Sequence, residues 1–342
     1  MTKNIDWGSL SFEYQPTDYR VVSKWTDGKW SELELTTDPT VHISECAGVL
    51  QYAQTVFEGL KAYRTEDGKI VTFRPDLNAQ RLIDSAKRLA IPEVPMEMFM
   101  QALDMLVKAN AEWVPPYGSG ATLYVRPFIY GSGPVIGVAP APEYEFRMMC
   151  MPVGPYFKAG IKPIVIKVSD FDRAAPHGTG NIKAGLNYAM SLYAGELAHA
   201  EGFSENMYLD AATRTYVEET GGANFIFITK DGKVVTPKSK SDSILPSVTR
   251  RSLMVVAEDI LGLEVEQRMV AFEEVPEFVE CGLCGTAAVI SPVGKINDHG
   301  KEIAFASGME EMGPTIKKLY DTLTGIQMGT VEAPEGWIHE IK

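Results

Sequence analysis

Twice along its length the chain runs through the same mixed grammar: short runs rich in β-branched and aromatic residues, broken by single stretches with the apolar spacing of an amphipathic helix. At 342 residues it is too long for one simple core and long enough for two. In the first pass, GVLQYAQTVFEGLKAYRT reads as strand and EDGK as a hairpin turn. RPDLNAQRLIDSAKRLA reads as a helix with Pro75 and Asp76 in its first turn and Leu82, Ala86 and Leu89 on one stripe, and a second helix is expected from about Met96 to Trp113. ATLYVRPFIYGSGPVIGVAPAPEYEFRMMCMPVG reads as two strands around a Gly/Pro-rich loop. PYFKAGIKP then reads as a break, so an N-terminal domain over 1–155, a linker over 156–164 and a C-terminal domain over 165–342 are expected. The second pass gives a strand IVIKVSDF, a helix with Leu186, Met190, Tyr193 and Leu197 on one face, a strand NMYLD and a hairpin NFIFITKDGKVVTP turning at Asp231-Gly232. A helix from about Val248, a strand LEVEQRMV, an acidic helix near Phe272–Glu280 and a strand TAAVISPVGKI complete it.

Lys plus Arg is 32 against 45 Asp plus Glu, a formal charge of −13, and no basic run grips a phosphate backbone, so nucleic acid is not an expected partner. An anionic ligand must be held by a local cluster of donors against that mean field. No apolar run reaches the roughly 20 residues needed to cross a bilayer, and the start MTKNIDWGSLSFEY has no export-signal pattern, so a cytoplasmic protein with no membrane partner is expected. Four cysteines are too few for a disulfide scaffold, and CGLC, Cys281 and Cys284, is expected to serve packing or a bend rather than a metal, for which no site is expected.

HGTGNIKAGLNY places Lys183 among Gly178, Gly180 and Gly185, with Tyr188 five positions on. The stretch is neither a dinucleotide loop, since Lys183 stands where the third glycine belongs, nor a phosphate loop, since Ala184 follows the lysine. A lysine between apolar neighbours at a helix start is electrostatically costly, and a desolvated amine near a positive helix end has the depressed pKa that a carbonyl-condensing lysine needs. On a regular helix residues 183 and 188 point ~140° apart. Both reach one site only if Lys183 lies in the bend before the helix, which Gly180 and Gly185 permit.

NIKAGLNY followed by VEETGGANFIFI, together with VFEGLKAY, RPDLNAQRL, LYVRPFIYGSGPVIGV, ILPSVTR and CGTAAVISPV, resembles the branched-chain amino acid aminotransferases, pyridoxal 5'-phosphate enzymes of fold type IV. The resemblance runs from about residue 40 to 300 and implies an α/β (α+β) fold of two mixed domains, a smaller N-terminal α/β domain and a larger C-terminal pseudo-barrel domain that carries the cofactor lysine. It implies transfer of the amino group between leucine, isoleucine or valine and 2-oxoglutarate. A D-amino-acid aminotransferase or an aminodeoxychorismate lyase on the same scaffold is the alternative, which the YVRP and ILPSVTR motifs disfavour.

By the same resemblance Lys183 is the cofactor-linking lysine, Tyr188 the partner of the ring oxygen and Glu219 the partner of the pyridine nitrogen, with Glu218 the member of the pair expected to face solvent. Arg81, Leu245, Val248, Thr249 and Thr286 match the phosphate site. Tyr52, Phe57, Tyr156, Thr286 and Ala287 match the substrate pocket. Ile136 and Val138 match a loop that reaches into the partner subunit's site, which implies a homodimer. Arg126 is a possible donor to the side-chain carboxylate of glutamate, with a structural role equally open.

Overall fold

A computed structural model describes residues 2–154 and 161–342. The chain forms two units: Met1–Lys158 with Ile182–Gly185 and Ile326–Lys342, and Ala159–Asn181 with Leu186–Gly325. The expected linker at 156–164 falls largely on residues outside those described, and so does Tyr156. Lys183, expected in the second domain, groups with the first unit. The reason is local: the Phe57 N–H donates to the Lys183 carbonyl at 3.0 Å, and Ala184 bridges to Val56.

The first unit contains strands β1 (Arg20–Thr26), β2 (Lys29–Trp30), β3 (Glu34–Thr36), β4 (Thr55–Phe57), β5 (Leu60–Arg64), β6 (Ile70–Phe73), β7 (Thr122–Gly131) and β8 (Tyr144–Val153). With the terminal strand Ile338–Glu340 they form an antiparallel sheet in the order terminal strand-β6-β5-β7-β8-β1-β2, with β3 on β1 and β4 on β7. β7 and β8 pair along their whole length, from Thr122↔Val153 to Gly131↔Tyr144. EDGK does turn between β5 and β6, with Gly68 at φ 85°. GVLQY, read as strand, is instead the short helix α1 (Gly48–Tyr52); Ala53 at φ 51° ends it, and the strand begins only at Thr55.

Helix α2 (Pro75–Arg88) opens on Pro75, where the missing N–H has no helical partner to lose. Its buried stripe is not wholly apolar: Asn78, Arg81 and Ser85 lie alongside Ala79, Leu82 and Ala86. Helix α3 (Met96–Ala109) buries Phe99, Ala102, Leu103, Leu106 and Val107. It stops short of Trp113 because Asn110 turns its side-chain amide back to the Leu106 carbonyl (2.9 Å), and a 3-10 turn follows.

The second unit holds β9 (Ile164–Val168), β10 (Asn206–Met207), β11 (Asn224–Ile228), β12 (Val234–Pro237), β13 (Val265–Arg268), β14 (Glu280–Gly285), β15 (Val289–Asp298) and β16 (Lys301–Ala304); the terminal strand of the first unit is thus β17. They order as β10-β9-β15-β14-β11-β12-β13, with β16 on β15. The sheet is mixed, β9 running parallel to β10 and β15, and β12 parallel to β13. Its core stacks Phe225, Phe227 and Phe278, with ring centroids 5.5 and 4.7 Å apart, among Ile166, Leu283, Val293 and Ile296.

One sequence expectation is narrowed here and two change. ECGLCG is the central strand β14, so CGLC packs rather than bends. Cys281 stands opposite Val293 and Cys284 opposite Ile290, three residues apart and therefore on opposite faces. The acidic helix is only a 3-10 stretch, Phe272–Glu277, with Pro276 inside it. The apolar stripe of α4 (Gly185–Ala200) points outward: Met190 and Tyr193 are 61% and 64% exposed, and the helix buries Asn187, Ala194 and Ala198 instead. Helix α5 (Val248–Val255) widens into a π turn at Val256–Ile260, and α6 (Pro314–Met328) starts where Glu280 accepts the Thr315 and Ile316 N–H groups. No described helix is long and apolar enough to cross a membrane.

Candidate active site

Lys183 lies in an extended segment beside β4. Its N–H donates to Ser85 Oγ of α2 at 3.0 Å, and its Nζ sits 4.8 Å from the centre of the Phe57 ring. Burial pulls the amine down to about 8, helped by the positive charges of Arg81 and Arg126 and opposed by Glu58 and Tyr124. A neutral amine is therefore accessible near physiological pH, which the ordinary lysine value of ~10.4 does not allow.

Arg81, four residues before Ser85 on α2, is buried in a two-pronged pair with Glu58: Nε to Oε1 at 2.6 Å and Nη2 to Oε2 at 2.9 Å. Glu58 is wholly buried and also accepts from Asn78 Nδ2 at 2.7 Å, so three side chains of one helix face fix the carboxylate and the segment of Lys183. Phe57 meets a second cation: the Arg126 guanidinium lies 4.6 Å over its ring and donates to Tyr124 Oη at 2.8 Å. Tyr52 is 40% exposed, and its hydroxyl donates to the Ile136 carbonyl, placing the Tyr52 ring against the loop that carries Ile136 and Val138. Val138 is 90% exposed.

In the second unit Glu219 is buried beside β11. Oε1 accepts the Leu245 N–H (2.8 Å), Oε2 accepts from Asn224 Nδ2 (2.7 Å), and Arg173 Nη2 stands 2.6 Å from Oε1. Burial raises its pKa, while Arg173, the Leu245 N–H and Arg250 pull it down. Glu218, expected to face solvent, is equally buried, because the opposite face of this segment is covered by a serine-rich loop: Ser239 (3.1 Å) and Ser243 donate to it. The Leu245 N–H is thus engaged by Glu219.

The start of α5 supplies other donors. Ser247 caps it by accepting the Arg250 N–H (3.1 Å), and the buried Val248 and Thr249 stand in the first turn, whose N–H groups lack helical acceptors. Thr286 and Ala287 lie in the tight turn joining β14 to β15, half-buried. Tyr188 is half-buried on the first turn of α4.

Gly178, Gly180 and Gly185 are not in the left-handed region, so none serves an unusual turn, and only Gly178 and Gly180 serve close approach. A Cβ on Gly180 would come within 2.1 Å of the Ser243 carbonyl and 2.8 Å of Arg173 Nη2. Gly180→Ala is therefore expected to displace the Ser243 carbonyl and lower the melting temperature by several degrees. Gly185→Ala, which meets nothing nearer than 3.4 Å of Thr55, should change it far less. Equal melting temperatures for the two variants would refute the close approach.

The sequence profile of amino-transferase class IV matches residues 55–296, a span that includes every side chain of these two clusters except Tyr52. The chain belongs to the class IV aminotransferases. Within them it groups with the branched-chain-amino-acid aminotransferases. It is 52% identical to that of Haemophilus influenzae over 99% of this chain and all of the other, and 47% identical to that of Helicobacter pylori over 99% and 98%. The solved Escherichia coli enzyme superposes with a TM-score of 0.80 at 28% identity, covering 95% of this chain and all of the other. That of Thermobaculum terrenum, solved in its pyridoxal phosphate form, superposes with 0.79 at 25% identity over 96% and 100%. The fold is the two-domain mixed α/β architecture of these enzymes.

The aminotransferase carries polar residues that the sequence alone did not single out. Glu58 sits inside the VFEGLKAY motif but gains meaning only from Arg81 and Asn78. Ser85 and Tyr124 are visible only through their contacts with Lys183 and Arg126. Lys61 stands opposite Tyr124 across β5 and β7, a second amine that burial brings to about 8. Arg173, ten residues before Lys183, had no signal of its own, being a cation that follows Asp170 and Asp172.

Proposed function

We propose that the chain catalyses reversible transamination between L-leucine, L-isoleucine or L-valine and 2-oxoglutarate, in the cytoplasm, as part of branched-chain amino acid biosynthesis, with pyridoxal 5'-phosphate as cofactor. The observation that carries this reading is Lys183, a desolvated amine held by backbone bonds to Ser85 and Phe57 within a chain of this family. The donor set fits the cofactor: one amine of lowered pKa, one buried carboxylate ringed by donors, and a capped helix start. Pyridoxal phosphate, when bound, supplies an electron sink that lets the Cα–H bond of an amino acid break.

The chain's own residues do the rest. Lys183 links the cofactor and, when neutral, takes the Cα proton and returns it. Glu219, as a carboxylate, favours the protonated pyridine nitrogen, and Tyr188 steadies the ring oxygen. Arg81, with the amides of Val248 and Thr249, the Thr249 hydroxyl and Thr286, holds the phosphate; the pair with Glu58 fixes the Arg81 guanidinium beforehand. Leu245 acts through Glu219, which takes its N–H. Tyr52, Phe57 and Tyr156 form the aliphatic wall, and the Ala287 amide with Thr286 takes the substrate carboxylate. Arg126, with the Tyr124 hydroxyl bound to it, is the donor for the side-chain carboxylate of glutamate.

Ile136 and Val138 serve the partner subunit in a homodimer. Their exposure, 65% and 90%, supports this. We take 1–155 and 165–342 as the two domains with a linker at 156–164, although Ile182–Gly185 and Ile326–Lys342 group with the first unit. L-Leucine with 2-oxoglutarate should give 4-methyl-2-oxopentanoate and L-glutamate. D-Alanine should give no 2-oxo acid. Product from D-alanine and none from L-leucine would transfer the chain to the D-amino-acid reading.

A further inference from the structure

One buried guanidinium in the second unit meets three groups at once. Arg173 Nη2 stands 2.6 Å from Glu219 Oε1, donates to the Gly180 carbonyl at 2.9 Å, and donates to the carbonyl of Ser243. Arg173 is about 5% exposed and Glu219 about 3%, so the pair interacts with little screening by water. Gly180 admits this arrangement only because it has no side chain, since a Cβ there would touch both the guanidinium and the Ser243 carbonyl. Ser243 in turn donates its hydroxyl to Glu218, and two residues on the Leu245 N–H is held by Glu219.

We propose that Arg173 is a positioning residue that holds Glu219 as a carboxylate and, through the same nitrogen, locks the Gly178–Gly180 bend three residues upstream of Lys183. Its bearing on catalysis rests on the reading of Glu219 given above. Buried against Asn224 and the Leu245 turn, a lone carboxylate would favour taking up a proton. The groups that face it are few. Arg173 and Arg250 favour the charge, Glu218 opposes it, and the Cys284 thiol, itself raised to about 12, stays neutral. Arg173 is the cation in direct contact, and it opposes the cost of burial most strongly. Without it Glu219 would ionise only at higher pH, by a shift of ~1–3 units.

The test uses the full chain in two forms. In the cofactor-free protein, the melting temperature of Arg173→Gln is compared with that of the unsubstituted protein from pH 5 to pH 9. Towards the acidic end Glu219 is more protonated in both and Arg173 contributes least; as pH rises the unsubstituted protein gains the ion pair before the variant can ionise the same carboxylate. The deficit of the variant is therefore expected to widen with pH. A deficit that stays constant across the range overturns the proposal, because loss of packing alone does not titrate. If Arg173→Gln yields no folded protein, the double variant Arg173→Gln/Glu219→Gln decides the matter. It should fold, since the carboxylate that lost its partner is gone too, and failure to restore folding would count against the ion pair as the reason. With cofactor loaded, the acidic limb of kcat should move up by ~1–3 units in Arg173→Gln and return most of the way in Arg173→Lys. A widening deficit in the cofactor-free protein with an unmoved rate profile would leave Arg173 holding Glu219 and remove Glu219 from the catalytic reading instead.

Discussion

Lys183→Ala is expected to lower turnover of L-leucine by at least ~10²–10⁴-fold, the contribution of a positioned proton-transfer group, before any loss from the missing cofactor link is counted. Cofactor should still bind, because Arg81 and the start of α5 are untouched. The same site predicts an opposite effect on stability. The folded-state pKa of Lys183 is depressed to about 8, so below that pH folding must carry a desolvated ammonium, and the folded state gains relative stability as pH rises from about 8 towards the unfolded value of 10.5. Lys183→Met removes that burden. Its cofactor-free form should melt higher than the unsubstituted protein at pH 7, with the advantage shrinking above pH 8. Turnover in Lys183→Ala close to that of the unsubstituted protein would overturn the central assignment, and a methionine variant that melts lower at pH 7 would show that the amine is better accommodated than its surroundings indicate.

Glu58→Ala should be the most destabilising single change in the first unit. It leaves the buried Arg81 guanidinium without its two-pronged partner and Asn78 with only the Gly59 carbonyl at 3.4 Å, and removing one member of a buried ion pair costs ~3–5 kcal/mol. The loss should appear as a lower denaturant midpoint with an unchanged slope. Half-saturation by pyridoxal phosphate should need more cofactor as well, since Arg81 is no longer held in one rotamer. A destabilisation below about 1 kcal/mol would mean that Arg81 finds water or another acceptor when Glu58 is gone.

Much of the scaffold was legible because it follows local rules. The α2 stripe, the EDGK and KDGK hairpins and the long β7–β8 pair each rest on residues that are neighbours in sequence or sit at a fixed period. The misreadings share a cause: a partner far along the chain decided the outcome. GVLQY has strand-like composition yet coils into α1, because Ala53 turns left-handed before β4 pairs with β7. ECGLCG has two glycines and no β-branched residue, and becomes strand because β11 and β15 flank it on both sides. Alternation at Glu218 and Glu219 predicts one side chain in and one out, which holds only where one face is wet; here Ser239 and Ser243 cover the second face. Lys183 stood out by its apolar and glycine neighbours. Glu58 and Arg173 did not, because a buried charge is recognised by its counter-ion, and neither counter-ion is adjacent in sequence.

The distribution of sulfur has a practical corollary. Cys150, Cys281 and Cys284 are buried, and burial raises all three thiols, so they resist alkylation while the protein stays folded. Cys46 alone is partly open, and its carbonyl accepts the Val135 N–H at 2.8 Å, at the root of the loop that carries Ile136 and Val138. A maleimide dye on the unaltered chain would therefore attach at one position, and its emission would report the movements of that loop without any engineered cysteine.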